Sequence, residues 1–125
     1  MLGDGEAIAT VAVRDIEAAR EFYEGTLGLT LLENRGGEVL SYRSGTSMLF
    51  VYHSAYAGTN GATSVTWRLP GGVDAEVSAL AAKGVRFERY EMPDTHREGD
   101  VHVSGTMRVA WFKDPDGNIH SIVSG

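Results

Sequence analysis

The chain contains no cysteine in its 125 residues. Disulfide bonds, thiolate metal sites and cysteine nucleophiles are therefore excluded, while the redox compartment is left open. Basic residues are also scarce, since eleven Lys and Arg stand against seventeen Asp and Glu, for a formal net charge of −6. No cluster of Lys and Arg could neutralise a row of phosphates, so we do not expect nucleic acid as a partner.

Long apolar runs are missing as well. No run approaches the roughly 18 residues that a membrane-spanning helix needs, so no membrane partner is expected. Residues 1–6 are acidic, whereas a secretory signal peptide begins with basic residues. We therefore expect a cytoplasmic protein. The composition, 42% hydrophobic and 22% charged, fits one globular domain over residues 1–125 with a buried core.

A pattern of strand, helix and strands occurs twice along the chain. In the first half, an apolar run at 7–13 is followed by Asp15 as a helix N-cap and by a helical stripe of apolar residues that ends at Gly28. In the second half a strand precedes a helical stripe that ends at Gly84. The repeats cover about 6–53 and 63–124, and a glycine-containing linker at 54–62 joins them.

This repetition predicts an α+β fold made of two βαβββ units. One unit alone would leave a face of its sheet exposed, so we expect the two units to combine into a curved mixed sheet with the helices outside. The concave face of such a sheet is a natural pocket for a small molecule.

Two segments resemble those of a known family. They are residues 13–23 (VRDIEAAREFY), followed by Leu27-Gly28-Leu29, and residues 112–118 (FKDPDGN). In this order around an internal repeat they resemble the vicinal oxygen chelate superfamily, which includes glyoxalase I, bleomycin-resistance proteins, fosfomycin-modifying enzymes and extradiol dioxygenases. The resemblance covers essentially the whole chain. It implies a paired βαβββ fold, usually a homodimer, and in the enzymes a divalent metal held by His and Glu on the concave face.

The positions that the resemblance assigns to metal ligands hold unsuitable residues. They fall on Ile8 in the first strand, on Ser64 or Val65 at the start of the second half, and on Ser121 in the last strand. The fourth should come from the strand between Ser47 and His53, yet residues 39–73 contain no Asp or Glu. Divalent metals in such sites need imidazole or carboxylate donors. We therefore expect no metal, no cofactor and no catalytic residue of the family's kind.

The candidate ligand-binding residues carry aromatic, apolar or hydroxyl side chains, with one histidine. They are Trp67, Trp111, Phe50, Tyr52, Tyr42, Ser121, Ile8, Ser64, Met107 and His53. Trp67 and Trp111 occupy corresponding places in the two halves, so they either face each other across the concave surface or both pack against helices. A facing pair suits a flat, conjugated ligand, because stacking adds roughly 0.5 to 1.5 kcal/mol beyond burial. If the side chains of these strands alternate in the opposite sense, Arg68 and Arg108 face the pocket and provide polar anchoring for a ligand.

Two further segments contain histidine. Strand alternation directs His120 away from Ser121, toward the helices or solvent, which favours a structural role. Residues 91–102 carry acidic or histidine side chains at five alternate positions, which would gather on one side of an extended strand: Asp94, His96, Glu98, Asp100 and His102. Pro93 and Gly99 favour instead an irregular loop that covers the pocket entrance.

The leading interpretation is a metal-independent protein that sequesters an aromatic natural product or antibiotic without altering it, as resistance proteins of this superfamily do. One alternative is an enzyme, either a metal-dependent lyase, isomerase or dioxygenase with its ligands elsewhere, or a cofactor-free catalyst that uses His53 or residues 91–102 as acid and base. Another is a dimeric module without a small ligand. The sequence leaves open which ligand is bound and whether each pocket is shared between two chains.

Overall fold

The computed structural model describes all 125 residues, which form two halves of similar topology. After a short 3₁₀ turn at Leu2–Asp4, the elements of the first half are β1 (Ala9–Val13), α1 (Ile16–Arg20), β2 (Thr30–Arg35), β3 (Val39–Ser44) and β4 (Ser47–His53). Those of the second half are β5 (Thr63–Arg68), α2 (Val73–Ala82), β6 (Phe87–Glu88), β7 (His96–Glu98), β8 (Val101–Ser104), β9 (Met107–Lys113) and β10 (Ile119–Ser124). Neither helix is long and apolar enough to cross a membrane.

The predicted N-cap begins α1. The Asp15 carboxylate accepts a hydrogen bond from the Ala18 amide at 3.1 Å, which satisfies one of the free donors of the first turn. The helix continues directly into a π-helical segment, Glu21–Thr26, and the chain then turns at Gly28, whose φ of +75° suits glycine. Ala19 and Tyr23, four residues apart on one face, are fully buried.

The strands form two sheets, and the expected α+β class with paired βαβββ topology is confirmed. The first sheet has the order β1-β4-β3-β2, and the second repeats that order as β5-β10-β9-β8, with β7 beyond it. Strands β6 and β8 both pair with β9, at different points along its edge. The two sheets are separate, since β1 and β5 approach each other without backbone pairing.

Each sheet buries one face against its helix. The first cluster consists of Val11, Val13, Ala19, Tyr23, Leu40, Tyr42, Leu49 and Val51, and the second consists of Val73, Val101, Val103, Ala110, Phe112 and Ile122. Phe22, Leu27 and Trp67 pack against both clusters, so the two halves share a core. Because side chains alternate along a strand, each sheet also has a face turned away from its helix, called here the open face.

The segment at 91–102 differs from the expected irregular loop. It contains a hairpin, in which β7 pairs with β8 around a two-residue turn, Gly99-Asp100, with Gly99 at φ +64°. A glycine with positive φ at the first turn position is typical of such hairpins. Arg108 holds the hairpin against α2, because its guanidinium donates to Asp74 at 2.8 Å and to Glu98 at 3.0 Å.

The turn between β9 and β10 joins the two halves. The buried Asp114 carboxylate accepts hydrogen bonds from the Asn118 amide at 2.9 Å within the turn and from the Tyr23 hydroxyl at 2.7 Å in the first half. Asn118 in turn donates through Nδ2 to the Ala12 carbonyl at 2.7 Å. The DPDG segment therefore connects β1, the first helix and the second sheet.

The linker packs on this same turn. The Gly58 amide donates to Asn118 Oδ1 at 3.3 Å, and a Cβ on Gly58 would lie 1.9 Å from the Asp116 carbonyl oxygen. Gly58 also has φ +72°. Glycine is therefore required at this position by both the close approach and the backbone conformation.

Candidate functional site

The open face of the second sheet presents an indole beside a row of hydroxyls. Trp111, Ser121 and Thr66 lie opposite one another on β9, β10 and β5. The Ser121 and Thr66 hydroxyl oxygens are 2.7 Å apart, and the Trp111 Nε1 donates to Thr63 Oγ1 at 3.1 Å. The three strands thus place one large aromatic surface next to groups that can donate and accept hydrogen bonds.

Two further rings surround Trp111. The His102 and Tyr90 ring centroids lie 4.8 Å and 5.3 Å from that of Trp111, both in edge-on geometry. His102 is buried, its Nε2 accepts the Tyr90 backbone N–H at 2.9 Å, and its Nδ1 lies 3.3 Å from the Val109 carbonyl oxygen. These contacts assign a neutral ring with the proton on Nδ1 and leave neither nitrogen for another role.

The open face of the first sheet forms a separate, apolar hollow. It has a volume of about 410 Å³ and is lined chiefly by Leu32, Val39, Met48 and Phe50. The Glu33–Arg35 ion pair, at 3.1 Å, lies at its rim. Apolar side chains dominate here, whereas hydroxyls and rings dominate on the second sheet.

The structure places five of the predicted residues on the open faces, two at their margins and one at a β-bulge. Those on the open faces are Trp111, Ser121, Met107, Phe50 and Tyr52. Ser64 lies in the bulge of β5, between Thr63 and Val65, which pair with Ile119 and His120. Ile8 is half-buried just before β1. His53, at the exposed end of β4, has Nδ1 3.4 Å from a Glu38 carboxylate oxygen.

Trp67 and Tyr42 lie on the other face of their sheets, which corrects their assignment to the concave surface. Trp67 stacks on Phe112, with ring centroids 6.2 Å apart, and its Nε1 donates to Ser44 Oγ at 2.9 Å. Tyr42 is fully buried and donates to Glu24 at 2.8 Å, and burial raises the pKa of the Tyr42 phenol. In β5 it is Val65 and Trp67 that face the core, so Trp67 and Trp111 do not face each other.

His120 lies on the helix-facing side, as alternation predicted. Its ring is fully buried, and its Nε2 lies 2.7 Å from the Tyr23 hydroxyl oxygen. Because that hydroxyl donates to Asp114, it accepts from His120 Nε2–H, and His120 Nδ1 has no partner. Burial lowers the pKa of His120 to about 4 and, together with Asp114, raises that of Tyr23.

The positions of the family's metal ligands do not fit a divalent ion. Ile8 offers a hydrocarbon, Ser64 and Ser121 offer hydroxyls, and the open-face side chains of β4 are Met48, Phe50 and Tyr52. No group of three or more His, Asp or Glu side chains in the chain is arranged to hold a metal. Hydroxyls and a thioether do not replace the imidazole and carboxylate donors that such a site requires.

The alternate acidic and histidine residues of 91–102 are separated by the hairpin. His96 and Glu98 are in contact at 3.1 Å on the side that faces α2. Asp100 accepts from Arg89 Nε at 3.0 Å, while His102 lies on the open face. The reversal at Gly99 therefore prevents these side chains from sharing one face.

The sequence analysis did not identify three residues of the site, namely Tyr90, His102 and Thr66. Tyr90 lies two residues after the short strand β6, outside any strand, and His102 falls in the charged segment interpreted as a loop. Thr66 had a usable signal only in the regular part of β5, where it alternates with the core-facing Val65 and Trp67.

Comparison with known proteins relates the chain to one large group. A family model described as the Glyoxalase/Bleomycin resistance protein/Dioxygenase superfamily matches residues 7–121. No curated protein sequence matches.

Solved structures of several such proteins are similar over nearly their full length. The antibiotic-binding protein TnmS3 from Streptomyces sp. CB03234 is 25% identical, with a TM-score of 0.64 over 94% of this chain and 92% of that one. A glyoxalase/bleomycin resistance protein from the same organism is 26% identical, with a TM-score of 0.59 over 94% and 98%. The fosfomycin resistance protein FosX from Listeria monocytogenes is 14% identical, with a TM-score of 0.71 over 97% and 93%, which is a likeness of fold alone.

Proposed function

Since this chain belongs to the glyoxalase/bleomycin resistance protein/dioxygenase superfamily, we propose that it binds a planar aromatic molecule on its open faces and sequesters it without a metal. The observation that carries the proposal is the combination of Trp111, its neighbouring rings and the Ser121–Thr66 hydroxyls at a place where metal ligands are lacking. The likeness to an antibiotic-binding protein supports it.

The chemistry of the face indicates what such a ligand would carry. An indole binds a flat conjugated ring through stacking and burial. The Ser121 and Thr66 hydroxyls share one hydrogen bond at 2.7 Å, and because Ser121 is buried, the exposed Thr66 hydroxyl is the one that a ligand can reach. A ring system with carbonyl or hydroxyl substituents fits both features.

A second copy of the chain would complete the pocket. Large apolar side chains on the two open faces remain partly exposed, including Leu32 at 47%, Tyr52 at 38% and Met107 at 44%. Within one chain, the hollow on the first sheet contains no residue of the second. We therefore propose a cytoplasmic homodimer in which the open face of one half meets a partner chain, to be tested by light scattering coupled to size exclusion. A monomer at micromolar concentration, with or without ligand, would rule out the shared pocket.

The proposed binding can be measured through Trp111 alone. The chain has two tryptophans, so Trp67→Phe leaves Trp111 as the only indole. Titration of this variant with quinizarin, a planar hydroxyquinone, should quench its fluorescence saturably, with or without a metal chelator. Mass spectrometry should recover the quinone unchanged. Loss of binding on chelation, or chemical conversion of the quinone, would instead support one of the enzyme alternatives.

A further inference from the structure

A second cavity lies outside the open faces, in a crevice between the two halves. Its volume is about 290 Å³, and its apolar wall includes Leu27, Leu29, Trp67, Leu80 and Phe112. None of the residues of the open-face site lines it. Contacts between separately packed units are common places for small-molecule pockets. From its lining we infer that this crevice binds a small apolar amine in its protonated form.

The first reason is the position of Glu76 on α2. This residue lies three positions after Val73 and four before Leu80, both of which are buried, so its carboxylate is on the apolar stripe of the helix. Glu76 is half-buried, lines the crevice and makes no ion pair or side-chain hydrogen bond. Asp74 on the same helix, by contrast, is paired with Arg108.

The Glu76 carboxylate, half-buried beside apolar walls and without a protein cation, is available to pair with a positive charge on a ligand. Partial burial removes water from the charge, and no protein cation compensates for the loss. A ligand ammonium within hydrogen-bond distance of Glu76 would supply that partner, while its hydrocarbon part would cover the leucine side chains.

The second reason is the partly exposed ring of Trp67, which is backed by the buried ring of Phe112. The two rings are nearly parallel, at 25°, with centroids 6.2 Å apart. The Trp67 N–H is already occupied by Ser44 Oγ at 2.9 Å, so what the indole offers to a ligand is its ring surface. Ring faces attract cations and apolar groups and provide nothing specific for an anion.

Arg43 also lines the crevice, but it does not favour an anionic ligand. It is exposed, pairs with Met48 on the open face of the first sheet, and forms no ion pair with Glu76 or any other carboxylate. An exposed guanidinium is well hydrated and its field is screened by salt. The half-buried carboxylate therefore determines the sign of the ligand's charge.

The crevice can be tested separately from the open-face site. Trp111→Phe leaves Trp67 as the only tryptophan, so its emission reports on the crevice. We expect phenethylamine, titrated in phosphate buffer at neutral pH, to change this emission saturably. The acid hydrocinnamate, which carries the same phenethyl group with a negative charge, should not. Failure of quinizarin to bind the Trp67→Phe variant would leave this result unaffected, because the two indoles are on opposite faces.

Two substitutions that each remove one charge supply the decisive comparison. In the Trp111→Phe background, Glu76→Gln keeps the side-chain shape and should weaken phenethylamine binding by about tenfold or more, since it removes a partly buried charge partner. Arg43→Gln should leave the affinity unchanged or raise it. Circular dichroism of each variant checks that it is folded. The inference is overturned if hydrocinnamate binds instead, if Glu76→Gln binds the amine as tightly as its parent, or if neither probe gives a saturable change.

Discussion

The Tyr23 hydroxyl lies 2.7 Å from Nε2 of His120, although the two residues belong to different halves of the chain. The same hydroxyl donates to Asp114, and the rings of Trp67 and Phe112 close the site around the imidazole. The neutral imidazole of His120 is thus buried near the Asp114 carboxylate, which already accepts four hydrogen bonds.

The stability of the protein should therefore depend on pH through His120. Burial lowers the pKa of His120 from its ordinary value of 6.5 to about 4. In this interval the unfolded chain binds a proton that the folded chain does not, so the free energy of unfolding falls as the pH is lowered. The total loss between pH 7 and 4 is about 3 kcal/mol.

Urea unfolding at a series of pH values measures this loss. His120→Gln should flatten the slope above pH 4.5, whatever its effect on absolute stability, while the exposed His53→Gln should leave the slope unchanged. Below that pH, carboxylates whose pKa values are lowered by arginine, such as Glu24 and Asp74, contribute as well. A slope that persists in His120→Gln would show that another group takes up the proton.

Gly58→Ala should destabilise the protein strongly. The new Cβ would meet the Asp116 carbonyl at 1.9 Å, and φ would remain at +72°. We expect a loss of about 2 to 4 kcal/mol in urea unfolding. Gly61→Ala is the matched control, because no atom lies within 4 Å of its Cβ position. Equal effects of the two substitutions would mean that the linker does not pack on the turn as described.

Trp111→Ala should abolish most of the binding of a planar aromatic ligand. Loss of the indole removes both buried area and stacking, so we expect a Kd raised by about 10- to 100-fold. Calorimetry with quinizarin measures this change, and Trp67→Phe serves as the control on the other face. If Trp67→Phe weakens binding and Trp111→Ala does not, the ligand occupies the crevice.

Arg108→Gln should release the β7–β8 hairpin from α2. The arginine donates to both Asp74 and Glu98, so its loss leaves two carboxylates facing each other without a cation. Hydrogen exchange should increase in residues 96–104 and remain unchanged in the first sheet. Arg89→Gln, which removes only the contact with Asp100, should have a smaller effect. Uniform exchange changes throughout the chain would contradict a local role.

Local signals in the sequence were sufficient for most of the fold. Asp15 as N-cap, the apolar stripe through Ala19 and Tyr23, and the turn at 114–117 each depend on neighbouring residues, and the structure contains all three. The opposite faces of His120 and Ser121 likewise followed from alternation within one strand.

The faces of Trp67 and Tyr42 could not be assigned in this way. A shift of one residue in a strand reverses every side chain, and in the second half the position that matches the family's ligand fell on Ser64 or Val65. The crevice with Glu76 also could not be predicted from the sequence, because its lining comes from both halves and depends on how the halves pack together. The hairpin at 96–104 was missed because β7 is short and charged, although Gly99 marked the turn.

The shared core has a consequence for the folding of the two halves. Phe22, Leu27 and Trp67 each pack against both clusters, and the Asp114 turn accepts a hydrogen bond from the first helix region. A half produced as a separate fragment would expose these side chains and leave Asp114 or Tyr23 without its partner. The two halves therefore depend on each other, and we expect neither to fold alone when the chain is cut at the linker.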